Sequence, residues 1–483
     1  MSIRYLQILY NRSLPLRRTI LIAFLLEINY TNAVGQWSSP VLLSPSAVNA
    51  GLNESMGSCI GVSGDTIHVV WFDITSSTTS VIYYIRSTDS GRTWNNPVPI
   101  TSVAGNAWNP AIAVVGSNVH VVWREINPSN NHRASYYQHS LDGGSTWTSK
   151  VFLDSTADWP AISISGNIVY VVNDVVTSQS PYNTEIFFLR SLDNGVTWSG
   201  PQQLTFATGR SEDESIHAEG SYIHMSWNDN RTNQFQIFYK ESADYGVTWG
   251  PDIVVDLPFD YNTMVWSNGT KVDVVAAGAP SGRYQLLLSQ SSDRGTTWGV
   301  TGTNLSADTA NTYFLPDMVR DGNDLHIVCN SSAGAKYFHS SNGGLNWDPV
   351  TVVSGANFIA YSGCVLHIIY NNNGKIYYLR NPTGNRGPTC SVYTGISSPP
   401  ENSFQLKIFP NPFSIRTFVQ VKKRLQNASL TLKNMLGQTV KEINNISGYT
   451  ITLERGNLAS GLYLLQLNED NREIAADKIL ITE

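Results

Sequence analysis

The sequence is poor in charge and in cysteine. Charged residues make up 14% of 483, and the body of the chain has no basic run. Proteins that neutralise nucleic-acid phosphates cluster Lys and Arg on one face. Here the net charge is −6, so nucleic acid is excluded as a partner. The four cysteines, Cys59, Cys329, Cys364 and Cys390, match no zinc spacing. Three lie in or beside expected strands and read as small buried apolar residues; Cys364 and Cys390 form the pair to test for oxidation in an exported chain. Long apolar runs are missing too. The stretch "TILIAFLLEI", Thr19 to Ile28, falls short of the ~20 residues that span a bilayer and contains Glu27.

That stretch follows Arg12, Arg17 and Arg18 and precedes Ala33, Val34 and Gly35. A positive, then apolar, then small-residue order is the pattern of a secretory signal. Residues 1–35 are expected to be a signal peptide, with the mature chain starting near Gln36.

What is abundant is aromatic and turn chemistry: Trp 13, Tyr 23, Phe 16 and Gly 37. Aromatic and β-branched residues suit pleated, half-buried surfaces, and Gly suits the turns between them. The phrase "SLDNGVTWSGP", Ser191 to Pro201, returns as "STDSGRTWNNP", "SLDGGSTWTSK", "SADYGVTWGPD" and "SSDRGTTWGVT", and in drifted form as "SSNGGLNWDPV". Its acidic residues are Asp89, Asp142, Asp193, Asp244 and Asp293; the sixth copy has Asn342. Its tryptophans are Trp94, Trp147, Trp198, Trp249, Trp298 and Trp347, separated by 53, 51, 51, 49 and 49 residues. A period near fifty with four strand-like segments per unit reads as propeller blades. Second-strand segments such as "NVHVVW" and "LHIIYN" occur seven times. The seventh unit stops after "KIYYLRN", while "QWSSPVLLS", Gln36 to Ser44, resembles the last strand of the other units. The expectation is a seven-bladed β-propeller over 36–381, closed by its N-terminal strand. Within the phrase, Gly supplies a positive φ, Asp and Ser or Thr hold the turn, and Trp packs on neighbouring strands. A catalytic group is not needed six times, so the phrase reads as structural.

S-x-D-x-G-x-T-W resembles the Asp-box of sialidase-like, BNR-repeat propellers. The resemblance covers roughly residues 36–381. In that family the boxes lie away from the active site, and the fold hosts many activities. Family sialidases use a Tyr nucleophile with a Glu beside it, an Arg triad and an acid/base Asp. This chain lacks the F/Y-R-I-P motif that usually supplies the first Arg, and seven blades depart from the family's six. The family's catalytic residues therefore do not carry over position by position.

A site belongs on the face opposite the phrase, among residues after second strands and before first strands. Catalytic candidates there are Asp158, Asp229, Glu125, Glu214 and Tyr261. Ligand-binding candidates are Arg124, Arg133, Arg210, Arg231, Trp108, Trp159 and Tyr313. Asp73, Glu54, Asp174, Glu212, Asp213, Asp260 and Arg283 share that face. Aromatics stack on sugar rings, and carboxylates with Arg bond hydroxyls and acidic groups. Each candidate also has a local reading: Asp after a strand is a common turn former, and Trp108 and Trp159 precede Pro at matching points, as packing residues would.

Residues 382–403 are rich in Pro, Gly, Ser and Thr and read as a linker. Residues 404–483 carry short alternating strands and six of the chain's eleven lysines, enough for a small Ig-like β-sandwich. "IFPNPF" with Pro410, Asn411 and Pro412, "LKNMLGQTV" with Gly437, "LASGLYLLQL" with Gly461 and Tyr463, and "KILI" with Lys478 follow in order. Together they resemble the type A sorting domain of the type IX secretion system. The resemblance implies Sec-dependent export, transfer across the outer membrane, and release or attachment at the cell surface, with the secretion machinery as a partner.

The sequence thus describes an all-β, exported or surface-attached Asp-box propeller, a monomer that needs no cofactor or metal. Its loop face binds an extracellular glycan or a surface protein. The alternatives are an extracellular glycoside hydrolase of sialidase-like type and a structural spacer.

Overall fold

A computed structural model describes residues 37–53, 56–103, 105–127, 129–258, 260–279, 283–299, 302–306, 311–363, 365–381, 407–434, 439–469 and 472–482. The expected signal peptide, the linker, Glu54, Cys364, Cys390 and Gly437 lie outside these residues. The chain divides into two compact units, Met1–Val392 and Tyr393–Glu483.

The first unit is an all-β propeller. Seven sheets of antiparallel strands lie among its described residues. Sheet 3 is representative, running Ala157–Ser165, Ile168–Gln179, Tyr182–Ser191 and Gln202–Gln203 from axis to rim. The axial strands Ile60–Ser63, Ala107–Val115, Ala157–Ser165, Ser211–Glu219, Asp260–Asn268, Tyr313–Asp321 and Phe358–Ser362 each touch the next, and the last touches the first. The ring is therefore closed. They line a central channel of about 270 Å³ walled mainly by Ile, Val, Ala and Met.

Closure uses the N-terminal strand. Val41 and Leu42 pair with Tyr378 and Tyr377, so Val41–Leu42 is the outer strand of sheet 7. This removes the exposed edge that an incomplete last sheet would offer. Both faces of each sheet are covered by neighbours. Second strands are accordingly buried on both sides, as in Val119, His120, Val121, Val122 and Trp123.

The repeated phrase forms one hydrogen-bonded turn. In sheet 2, Ser140 Oγ donates to Asp142 (2.7 Å), and the Gly144 N–H donates to Ser140 Oγ (2.8 Å). The Thr146 N–H and hydroxyl donate to the two Asp142 oxygens at 2.8 and 2.7 Å. In the sixth copy Asn342 still accepts from Ser340 and from the Asn346 N–H, which explains why the drift is tolerated. Hydrogen bonds from the Thr hydroxyl and N–H, then from Ser, hold Asp193 down at about 2.

The glycine and tryptophan of the phrase serve the preceding sheet. Tyr137 of sheet 2 accepts Trp198 of sheet 3 edge-on, with centroids 4.7 Å apart. Its hydroxyl lies within 2.6 Å of His120 Nδ1 and donates to the Asn194 carbonyl at 3.2 Å. A Cβ on Gly195 would fall 1.7 Å from that hydroxyl. The His···Tyr pair recurs as His68–Tyr84, His224–Tyr239, His326–Tyr337 and His367–Tyr378. The phrase is thus a sheet-to-sheet coupling.

The second unit contains strands Lys407–Phe409, Arg416–Lys433, Thr439–Glu454, Gly461–Glu469 and Arg472–Ile481. They enclose a core of Val419, Leu430, Leu453, Leu465, Leu467 and Ile479. The sequence reads "RTFVQVKK" and "ASLTLK" as separate strands; the structure joins them in Arg416–Lys433, with register breaks between Gln420 and Ala428. Asn411 Oδ1 accepts the Leu480 N–H at 2.9 Å, Pro410 accepts from Thr417, and the buried Tyr463 hydroxyl donates to Ala459. Lys478 is described by its backbone, which pairs with Leu464.

Candidate functional site

The loop face is shaped by a bulge that recurs where the axial strands begin. The ladder shifts register between Trp108 and Ala111, Asp158 and Ala161, Glu212 and Ser215, Tyr261 and Thr263, and Phe314 and Asp317. Each shift contains one residue with positive φ: Asn109 (52°), Trp159 (46°), Asp213 (55°), Asn262 (55°) and Leu315 (50°). A bulge leaves one residue unpaired and re-aims its neighbours. Pro110, Pro160 and Pro316 follow three of these positions, and Pro suits a bulge because it has no N–H to give the ladder. In sheet 4 that place is taken by Glu214.

The bulges of sheets 3 and 4 bring the charged candidates together. Arg124, near the end of the second strand of sheet 2 (Asn118–Ile126), and Arg133, opening its third, both form ion pairs with Asp158. The Arg124 guanidinium lies 4.8 Å over the Trp159 ring, and the Trp159 N–H donates to Asp158 (3.1 Å). Asp158 is paired across the ladder with Asp174. In sheet 4, Arg210 pairs with Glu212 at 3.4 Å and covers the Phe235 ring at 4.8 Å. Asn228 donates to Asp213 at 2.9 Å.

Behind these groups is a layer of buried acid. Glu214 is 0% exposed, and neither carboxyl oxygen meets a hydrogen-bond partner in another residue; one oxygen of Asp174 is likewise unpartnered. Burial, then the charge of Asp158, raises Asp174 well above the usual carboxylate range. Burial, then Asp174, does the same to Glu214. Burial raises Asp213 and pushes Glu212 up to about 6, against the pull of Arg210 in both cases. A carboxylic acid that keeps its proton near neutrality can donate it.

Arg124, Arg133, Asp158, Trp159, Arg210 and Glu214 therefore share one neighbourhood. Other candidates are committed elsewhere. Asp229 accepts from Arg231 (2.9 and 2.6 Å), Trp227 (3.1 Å) and Ser211 (3.0 Å), and Arg231 goes on to Asp252. Glu125 holds Lys150 and the Trp123 indole. Trp108 packs on Phe72 at 4.8 Å, and Tyr313 is buried near Phe338. Asp73 accepts the N–H groups of Val48 and Asn49, tying down the connection into sheet 1. The Tyr261 and Asp260 side chains lie outside the described residues.

Two residues escaped the sequence reading. Tyr182, half-exposed beside the tip of the long sheet-3 hairpin, lies within the fields of Asp174, Glu212, Arg133 and Arg210. Asn173 takes the place that Trp71, Trp123 and Trp227 occupy in other sheets, and both its amide atoms are buried without a partner. Aligning the repeats against one another exposes both this exchange and Glu214. Among the described residues no three His, Cys, Asp or Glu side chains converge with metal-ligand geometry.

Residues 407–482 match the family described as the secretion system C-terminal sorting domain. The chain thus joins a β-propeller built on repeated S-x-D-x-G-x-T-W turns to a type IX sorting domain, and this sorting domain directs export to the cell surface or secretion. No curated protein matches the chain. Among solved structures, a Hadza microbial sialidase is 14% identical at a TM-score of 0.40, over 58% of this chain and 63% of that one, less than two thirds of its length. A Dyadobacter fermentans protein of unknown function is 13% identical at a TM-score of 0.44, over 69% and 98%. Trypanosoma rangeli sialidase is 11% identical at a TM-score of 0.39, over 79% and 86%. Likeness at this level assigns no activity to this chain.

Proposed function

We propose that this exported propeller engages extracellular glycans through the loop face of sheets 2 to 4. The observation that carries the reading is a layered site: Arg133, Arg210, Glu212 and Tyr182 reach solvent above buried Asp158, Asp174 and Glu214. Arginine and carboxylate offer fixed donors and acceptors for hydroxyls, and an exposed tyrosine offers a stacking face. The test is a glycan array probed with the full chain and with Arg133→Ala. Glycans bound by the first and released by the second support the reading; a blank array from folded protein sinks it.

A second reading, hydrolysis, is favoured by one feature. Glu212, with its proton held to about 6, shares the site with Asp158, which two arginines grip. A pair of carboxyl groups in one site is the working part of a glycosidase. Turnover of aryl-glycoside reporters, including a sialoside, that disappears in Glu212→Gln would convert the binding face into an active site.

A further inference from the structure

The acids of the loop-face site outnumber their partners. Asp158 absorbs Arg124 and Arg133, and Arg210 is engaged by Glu212. Among the described residues Asp174, Asp213 and Glu214 have no cation in contact; Asn228 donates to Asp213. An isolated acidic loop would hydrate these groups. Instead both Glu214 oxygens and one of Asp174 are buried and unpartnered. Buried polar groups without a partner are destabilising. The site therefore favours a ligand that brings hydrogen-bond donors, and a cationic one draws off the protons that these acids hold.

We propose that this site receives the ammonium group of an amino sugar, with Glu212 and Asp213 at the contact and Asp174 and Glu214 behind them. The inference rests on the glycan-binding reading and names its ligand class. A divalent metal is disfavoured because no metal-ligand group forms among the described residues. An ammonium needs no fixed coordination shell, only acceptors for three donors. Arg133 and Arg210 flank the acids, with side chains 43% and 38% exposed. They repel a run of cations such as a basic peptide, yet bond the hydroxyls on either side of a single amine. Tyr182, half-exposed at the rim, supplies the face for a sugar ring.

The experiment is calorimetric titration of the full chain with hexamers of glucosamine and of N-acetylglucosamine. The expected result is tighter binding of the free amine by about tenfold or more, the scale of one charge-assisted hydrogen bond. Asp213→Asn and Glu212→Gln should each erase that preference. Asn suits the positive φ at 213, and Glu212 is only half-buried, so both variants keep the fold, checked by their melting temperatures. Equal binding of both hexamers overturns the amine inference and leaves the glycan reading standing. Binding of neither hexamer, with other glycans bound on the array, does the same. A blank array removes both. Oligolysine binding as tightly as the amine hexamer overturns the assignment to sugars.

Discussion

The indole of Trp37 meets the ring of Tyr337 edge-on, with centroids 5.3 Å apart. In the other couplings that place against the tyrosine belongs to the tryptophan of an Asp-box. Trp37 therefore stands in for the seventh box, and the ring closes on it. Trp37→Ala should lower stability by roughly 2 kcal/mol, below the ~3–5 kcal/mol of a fully buried aromatic because Trp37 is only half-buried. Chemical denaturation measures it; an unchanged midpoint would show that the N-terminal strand is not part of the cooperative unit.

Two glycines separate backbone strain from packing. Gly166 (φ 62°) has open space where a Cβ would sit, whereas Gly195 (φ 84°) has the Tyr137 hydroxyl there. Gly166→Ala should cost about 1 kcal/mol for its left-handed backbone. Gly195→Ala adds overpacking and should cost roughly 3 kcal/mol or more. Removing the hydroxyl with Tyr137→Phe should recover part of the second loss and none of the first.

Four of the coupling histidines, His68, His120, His224 and His367, should stay neutral in mild acid. Burial, then the charge of Arg86, lowers His68 to about 4; burial, then His139, lowers His120 to about 3. Burial, then an arginine, lowers His224 to about 4 and His367 to about 3. Each folded value lies below the unfolded ~6.5. Their contribution is complete above 6.5 and is lost as pH falls towards 3–4, at up to about 1.4 kcal/mol per unit each. Imidazole hydrogen exchange read by mass spectrometry should place all four midpoints below pH 5. Asp317 carries the opposite sign: burial raises it to about 7, so its contribution is lost as pH rises through 7. Asp317→Asn should therefore gain stability relative to the unsubstituted chain between pH 4 and 8.

Arg133 and Asp229 should part company in experiment. Arg133→Ala removes a half-exposed partner and should cost under about 1 kcal/mol while weakening glycan binding. Asp229→Ala strands Arg231 and the Trp227 indole, so about 3 kcal/mol of stability should go with binding unchanged. Paired melting and binding measurements distinguish them.

Deleting residues 407–482 should leave a folded propeller that no longer reaches the medium or cell surface, because the sorting domain is a separate compact unit. Cell fractionation with an antibody to the propeller reads the result.

Repetition made the ring legible. Six copies of one phrase fix a period, and the resemblance of "QWSSP" to their flanks points to the closing strand. The loop face was legible in part. Arg124, Arg133, Asp158 and Arg210 stand out as charged residues at strand ends; the first three meet, and Arg210 pairs with Glu212 beside them. Asp229 stands out in the same way, yet Arg231 two residues on already occupies it; spacing alone does not reveal that hydrogen bond. The bulges were not legible, because a positive φ at Trp159 or Leu315 contradicts the ordinary preference of those residues and is imposed by the surrounding sheets. Glu214 acquires its meaning only from that bulge.

Val41 and Tyr378, hydrogen-bonded neighbours in sheet 7, are separated by most of the chain. Contacts this remote are late events in folding, since the intervening loop must be closed before they form. A strand that emerges early must wait for the third strand of the last sheet. A chain emerging N-terminus first cannot complete its ring until residue 378 is free to pair. Circularity thus acts as a timer: the strand that opens the ring is the last to find its place.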